Sequence, residues 1–419
     1  VTSGSAYYDA LETRAPEVRE AALMAALPAQ IAHAKANAPG FSRILAGVDP
    51  EGVNSRAALA RLPVTRKSDL AELQKAMPPL GGLNATPLAQ LAKLFISPGP
   101  IYDPEGFGAD WWRSARALYA AGFRAGDLVI NTFAYHFLPS GSILETGARA
   151  IGCTVVPAGT GQTELQAVTI RDLAISGFIG TPSFLKLIVE KAASTGVDIS
   201  CLRRAVVGAE YLPPALRDAM RARGITVLQF YGSADLGLMA YETADAQGQA
   251  YPGMLLEEAL ILEILRPGTG DPVPEGDVGE VAITTFNRDY PLIRFATGDL
   301  SASMPGVSAC GRTNTRIRGW LGRADQTAKV RAVFVTPKLV DLIVRRHSEI
   351  TRARLVIDLD AGNDRMTLRC ESTGEAPGLR EALARSIREV TQLRGEVELV
   401  APGSLPNDGL VIEDARTYD

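Results

Sequence analysis

Cysteine is scarce in this 419-residue chain, and the four that occur stand far apart. Cys153, Cys201, Cys310 and Cys370 form no Cys-x-x-Cys pair, which argues against a metal centre and leaves reduced thiols as the plain expectation. Cys310 sits in a Gly-containing turn, Ala309-Cys-Gly-Arg-Thr313. Basic charge is not in excess: 43 Lys and Arg stand against 47 Asp and Glu, a formal net charge of -4. That balance argues against nucleic acid or a membrane surface as a partner. No apolar run is long enough to cross a bilayer. The chain opens on Val1 rather than Met, which is read as processing or numbering, and no secretory stretch follows. A cytoplasmic location is the expectation. Internal repeats and low-complexity segments are also missing.

What is present is ample core material, with 46% hydrophobic and 21% charged residues. The length suits one large and one small domain. Residues 14–38 read as a helix interrupted near Pro28, and Ser55–Leu73 as a polar helical stretch. Helices are expected over Ala109–Gly122, Ser140–Ile151, Thr163–Ser176, Ser183–Ser194 and Pro214–Arg223. They alternate with apolar strands at Leu128–Phe133, Cys153–Pro157, Phe178–Gly180, Arg204–Gly208 and Thr226–Tyr231. This alternation predicts βαβ units on a largely parallel sheet. From about 250 to 320 the pattern becomes β-rich, with hairpins around Arg266–Gly276. From about 325 an α-β-β-α-β order predicts a small two-layer domain, followed by a polar tail over 401–419. The fold class expected is therefore α/β, with a large domain over 1–324 and a small α+β domain over 325–419. The amphipathic N-terminal helices could supply a homodimer face.

Three blocks carry chemistry. Phe230-Tyr-Gly-Ser-Ala-Asp-Leu-Gly237 follows a strand of the parallel sheet, at the carboxyl end where open α/β sheets bind ligands. Tyr231 offers a face for a purine, Gly232 close backbone approach, and Asp235 a carboxylate for Mg²⁺ beside phosphate. Arg294-Phe-Ala-Thr-Gly-Asp-Leu300 offers Asp299, which can accept two bonds from a ribose diol. Leu321-Gly-Arg-Ala-Asp-Gln-Thr-Ala-Lys-Val330 offers Arg323 for ribose or phosphate oxygens and Asp325 at the domain boundary. Taken singly, each block also reads as an ordinary turn or linker.

Together, in this order, they resemble the adenylate-forming superfamily of acyl- and aryl-CoA synthetases, luciferases and adenylation domains. The likeness is greatest to the phenylacetate–CoA ligase branch. Leu62-Pro-Val-Thr-Arg-Lys-Ser-Asp69, Gly161-Gln-Thr-Glu164, Gly180-Thr-Pro-Ser-Phe184 and Gly208-Ala-Glu210 support that branch. The resemblance implies that Gly208, Ala209 and Glu210, with Tyr231, Gly232, Ser233, Ala234 and Asp235, enclose the adenine and α-phosphate of ATP or AMP. It implies that Asp299 holds the ribose, Arg323 the ribose-phosphate edge, and that the small domain turns about Asp325. Asp235, Arg323 and Asp325 are the catalytic candidates, with Asp235 the Mg²⁺ ligand. Phe133, Tyr135, His136, Thr181, Pro182 and Phe184 are expected around the acyl group, which points to a small, aromatic carboxylic acid. The implied reaction forms an acyl-adenylate and pyrophosphate, then a thioester with coenzyme A.

The sequence departs from the family pattern in four places. The segment at the phosphate loop, Phe95–Gly106, contains Pro98, Pro100 and Pro104, which have no N–H to donate. Leu410 stands where a Lys is usual, and no lysine follows Lys338. Asp235 replaces a longer Glu, with Ala234 before it where a hydroxyl residue is expected. Ala332 stands where a Gly is expected. A catalytically impaired nucleotide- or acyl-binding relative is the alternative these departures raise.

Overall fold

A computed structural model of the protein describes residues 5–97, 99–324, 326, 328–330, 333–360, 363–372, 374 and 377–416. Pro98, Asp325 and Ala332 lie outside the described residues. The chain divides into two compact units. The first comprises Val1–Leu262, Ile283–Phe295 and Met304–Gly319, and the second Glu263–Ala282, Ala296–Ser303 and Trp320–Asp419.

The first unit is built on β1 (Thr65–Arg66), β2 (Lys93–Ser97), β3 (Ile101–Glu105), β4 (Leu128–Asn131), β5 (Thr154–Pro157), β6 (Gly177–Gly180), β7 (Arg204–Val207), β8 (Thr226–Ser233), β9 (Gly237–Tyr241) and β10 (Met254–Leu256). Strands β5-β4-β6-β7-β8 lie side by side and all parallel, and β9, β10 and Arg316–Ile317 extend the sheet antiparallel. Both faces are buried, as the continuous apolar runs require. Val129, Ile179, Val206 and Leu228 enter a core with Trp112, Leu118, Tyr119 and Leu144. Their neighbours Ile130, Phe178, Ala205 and Val227 enter a second core with Ile170, Leu185, Ile188 and Met220. The alternation follows from the period of two along a strand.

Helices on these faces start and stop where the sequence marks them. The helix Pro182–Thr195 has Pro182 in its first turn. The Thr181 hydroxyl accepts from the Phe184 N–H at 3.2 Å, and Gly196 ends the helix at φ 69°. Other elements depart from the sequence reading. The N-terminal helix Pro16–Asn37 runs through Pro28 without a break. An interior Pro costs roughly 3 kcal/mol, and burial of Leu23, Leu27, Ile31 and Ala34 along one face offsets it. The helix expected from Ala109 begins at Ala115, because Asp110 accepts from the N–H groups of Ser114 and Ala115 at 2.8 and 3.0 Å. Ser55–Leu73 is broken at Pro63 into Arg56–Leu59, β1, a 3₁₀ turn Lys67–Asp69 and the start of Leu70–Ala76.

In the second unit, strands Ile350–Asp360 and Asn363–Ser372 form a long antiparallel pair. Glu396–Val400 adds in parallel beside Asn363–Ser372, and Ile412–Asp414 in parallel beside Ile350–Asp360. The tail expected to be loop thus contributes a strand. Helices Pro337–Val344 and Leu379–Thr391 cover a core of Val340, Ile343, Leu355, Ile357, Leu368, Leu383 and Ile387. No helix among the described residues is long and apolar enough to cross a membrane.

Candidate active site

The carboxyl ends of β4, β6, β7 and β8 are neighbours in one sheet, and each runs directly into a segment singled out from sequence. Phe133–Phe137 follows β4, Thr181–Phe184 follows β6, Gly208–Glu210 follows β7, and Tyr231–Asp235 closes β8. Side-chain bonds tie these segments together. Glu210 accepts from the Ser183 N–H at 3.2 Å and its hydroxyl at 2.9 Å, and the Gln229 amide donates to the Glu210 carbonyl at 2.9 Å. Gly208 is required by close approach, since a Cβ there would meet the Phe230 ring at 2.5 Å. Ala209 has φ 65° and is exposed beside it.

Of the residues expected around an acyl group, Phe133 is buried with its ring edge-on to Phe230, centroids 6.0 Å apart. The Tyr135 hydroxyl accepts from Asn131 at 2.9 Å, and burial together with Glu145 raises its pKa. Phe184 and Thr181 are half-buried, Pro182 is buried and His136 is exposed.

Asp235 is buried in the floor of this edge, and its Oδ2 is paired with the Lys67 ammonium. Its Oδ1 receives no N–H donor, and neither does the carboxyl of the fully buried Asp103, which lies against the Ser97 hydroxyl and Asp235 itself. Burial, then the Asp235 charge, pushes the Asp103 pKa up to about 7, against the Ser97 hydroxyl and Lys67. The Tyr290 hydroxyl is also buried without a partner, and burial with the Asp235 and Asp103 charges holds its pKa well above the usual value. Asp103 arrives on a hairpin. The proline-rich segment expected as a phosphate loop is β2 and β3, with Phe95 opposite Asp103 and Ser97 opposite Ile101. Of Pro98-Gly99-Pro100 between them only Gly99 carries an N–H. Sequence pattern alone marks neither Lys67 nor Asp103 as functional: Lys67 lies in a polar stretch and Asp103 among prolines.

The second unit holds the remaining candidates. Asp299 and Arg323 face each other across antiparallel strands, with Arg323 Nη1 donating to Asp299 Oδ1 at 3.0 Å. The same oxygen accepts from Trp320 Nε1 at 3.1 Å. Leu410 packs on an apolar cluster of Val278, Leu300, Ala302 and Ala324. Arg416, a conceivable substitute for the absent lysine, donates to Asp414 at 2.6 and 2.7 Å and to Asp364 at 2.9 Å, and its side chain is only 8% exposed.

Residues 110–287 match the family described as AMP-binding enzyme. Across 96% of its length the chain is 30% identical to a phenylacetate–coenzyme A ligase of Thermus thermophilus, covering 96% of that protein. It is 31% identical over 85% of its length to a phenylacetate–coenzyme A ligase of Aromatoleum evansii, covering 84% of it. The chain belongs to the phenylacetate–CoA ligase family. The ligase is an AMP-forming acid–thiol enzyme that activates a small carboxylic acid as its adenylate, and enzymes of this family use ATP and coenzyme A. Its fold matches that of a 2-hydroxyisobutyryl-CoA ligase in the postadenylation state in complex with an acyl-AMP, at a TM-score of 0.72 and 25% identity over 99% of this chain and 93% of the other. The same protein in an open conformation with 2-HIB-AMP and CoA matches equally, over 97% of this chain and 93% of the other.

Proposed function

We propose that this ligase activates an aromatic carboxylic acid and transfers the acyl group to coenzyme A. The observation that supports the reading is the meeting, at one sheet edge, of segments carrying three aromatic residues with Gly208–Glu210 and Tyr231–Asp235. Phe133, Tyr135 and Phe184 follow β4 and β6, and Gly208–Glu210 and Tyr231–Asp235 follow β7 and β8. In this reading a ring packs among these apolar side chains, which favours an aryl acid over a short aliphatic one through buried area. Gly208, Ala209 and Tyr231 flank the purine, while the Asp299 carboxylate accepts from the ribose diol and Arg323 lies along the ribose-phosphate edge. Asp325 is proposed as the pivot between the two half-reactions.

In the first half-reaction a carboxylate oxygen of the acid bonds to the α-phosphorus. The bond from that phosphorus to the β-phosphate bridging oxygen breaks, and its electron pair leaves on pyrophosphate. In the second, the CoA sulfur bonds to the acyl carbon, the carbon–oxygen bond to AMP breaks, and the thiol proton passes to solvent. The residues fit Mg²⁺ as a partner of the triphosphate: Asp235 Oδ1 is a buried carboxylate oxygen that receives no N–H donor, and Mg²⁺ commonly uses one or two carboxylates with substrate phosphates and water. Bound there, Mg²⁺ would neutralise charge on the phosphate oxygens.

The test is pyrophosphate release from ATP across arylacetic, benzoic and branched short-chain acids, with thioester formation followed separately. Arylacetic acids should exceed the short-chain acids in kcat/KM by at least about tenfold. The reverse order sinks the aromatic assignment, and release with none of them supports the impaired-relative reading. Calorimetry with AMP tests the nucleotide assignment through Ala209→Asp. Asp tolerates the positive φ there, and its charge should repel the phosphate and weaken AMP binding at least about tenfold.

A further inference from the structure

We infer that Lys67 is the cation that this ligase uses for acyl-adenylate formation, bridging the acid carboxylate and the α-phosphate. The inference rests on reading Tyr231–Asp235 as the phosphate end of the nucleotide site.

Bringing a carboxylate onto a triphosphate concentrates negative charge, and placed cations supply much of the catalysis in such transfers. In this chain the tail cannot supply a lysine. None follows Lys338, position 410 is a Leu packed on an apolar cluster, and Arg416 is committed to Asp414 and Asp364. Arg323 is bonded to Asp299.

Lys67 meets the requirement by position. Its ammonium is paired with Asp235, the last residue of the β8 block. The Lys67 side chain is 25% exposed and that of Asp235 is 0% exposed, so the lysine is the member of the pair that reaches solvent. The backbone that delivers it is pinned. The Thr65 N–H donates to the Arg294 carbonyl at 3.1 Å, and the buried Arg294 guanidinium donates to the Ala60 and Leu62 carbonyls at 2.9 and 2.5 Å. These anchors at positions 60, 62 and 65 fix the chain just before Lys67 and narrow the reach of its flexible side chain.

The floor beneath it is under-satisfied. Asp103 Oδ1 and Oδ2 and Asp235 Oδ1 receive no N–H donor, Asp103 having only the Ser97 hydroxyl and Asp235 beside it, and the Tyr290 hydroxyl is buried without a partner. Buried polar atoms of this kind are uncommon and mark places that take a polar ligand or a proton. Entry of the triphosphate then draws Lys67 from Asp235 onto phosphate and carboxylate oxygens, and Asp235 Oδ2 becomes available to the metal. Lys67 donates hydrogen bonds as the oxygen–phosphorus bond forms and the pyrophosphate bond breaks. Thioester formation adds one charge to the departing AMP but brings no carboxylate onto a triphosphate, so it depends less on this ammonium.

The two half-reactions separate a catalytic role from a structural one. Lys67→Met in the full-length enzyme should lower acid-dependent ATP–pyrophosphate exchange by about 10²–10³-fold. Thioester formation from synthetic acyl-adenylate and CoA should be the less affected step, falling by no more than about threefold, because no second anion is brought onto the phosphate there. Lys67→Arg keeps a charge at the site and should recover at least about tenfold of the lost exchange. Exchange within about threefold of wild type in Lys67→Met overturns the inference, and so does an equal fall in both half-reactions, which would mark structural support. Ala209→Asp keeps the underlying reading distinct. Unchanged AMP affinity in that variant removes the nucleotide site itself, whereas lost affinity there with intact exchange in Lys67→Met removes Lys67 alone.

Discussion

Asp103 and Asp235 share the floor of one buried cluster, and the charge on Asp235 helps to keep a proton on Asp103. Burial is the larger cause of that rise, from an ordinary 3.8 to about 7. The folded protein therefore binds a proton at Asp103 through a pH range in which the unfolded chain has already lost it.

The sign of the pH dependence follows. Stability rises with pH only where the unfolded state holds more protons, and here the folded state holds more. The contribution of Asp103 is fully present below about pH 4 and is lost as pH rises through about 7. Burial raises Asp110 to about 6 and acts in the same direction. Melting temperature should increase between pH 8 and pH 6, and Asp103→Asn should flatten that slope. A slope unaltered in the variant would show that Asp103 ionises normally.

Asp299 gives a test by substrate analogue. Its carboxylate is assigned to the ribose hydroxyls, while one of its oxygens already accepts from Trp320 and Arg323. A hydrogen bond to a charged group contributes about 1.5–3 kcal/mol, so wild type should prefer ATP to 2′-deoxy-ATP in kcat/KM by about tenfold or more. Asp299→Asn should lose most of that preference. A variant that discriminates as well as wild type would leave the ribose to other groups.

Glu12 tests how the N-terminal segment is held. It is fully buried and accepts from Arg312 Nε at 2.5 Å, from the Tyr241 hydroxyl at 3.1 Å and from the Tyr8 N–H at 2.6 Å. Glu12→Ala strands the buried Arg312 charge, which should cost about 3–5 kcal/mol. Urea unfolding measures it, and a loss below about 1 kcal/mol would show that water enters to solvate Arg312.

The parallel sheet was legible because its signals are local. Strands buried on both faces are continuous apolar runs, and β4 to β8 lie within a few residues of where Leu128–Phe133 to Thr226–Tyr231 were expected. The elements misread from sequence depend on distant partners. Strand β1 has two residues and exists because the Arg294 carbonyl receives the Thr65 N–H. Strand Ile412–Asp414 exists because Leu355–Ile357 pairs with it. The Asp299–Arg323 pair could be anticipated from two blocks recognised together. The Lys67–Asp235 pair could not, since a lysine in a polar stretch reads as a solvated charge until a buried carboxylate is found beside it.

Position 410 offers the converse experiment. Leu410 is half-buried against Val278, Leu300, Ala302 and Ala324, so Leu410→Lys forfeits some apolar contact, about 1 kcal/mol of stability. Lysine can keep its methylene stem on that cluster and extend its ammonium to water, which limits the damage. If Lys67 supplies the adenylation cation, the added lysine should change pyrophosphate exchange little in the wild-type background. In the Lys67→Met background it has a missing charge to replace, and exchange should recover by about tenfold or more. The interaction between the two substitutions, read as a double-mutant cycle, is the quantity of interest. Strictly additive effects would show that positions 67 and 410 do not serve the same transition state, and that the tail's likeness to the family's lysine-bearing motif has no chemical counterpart in this enzyme.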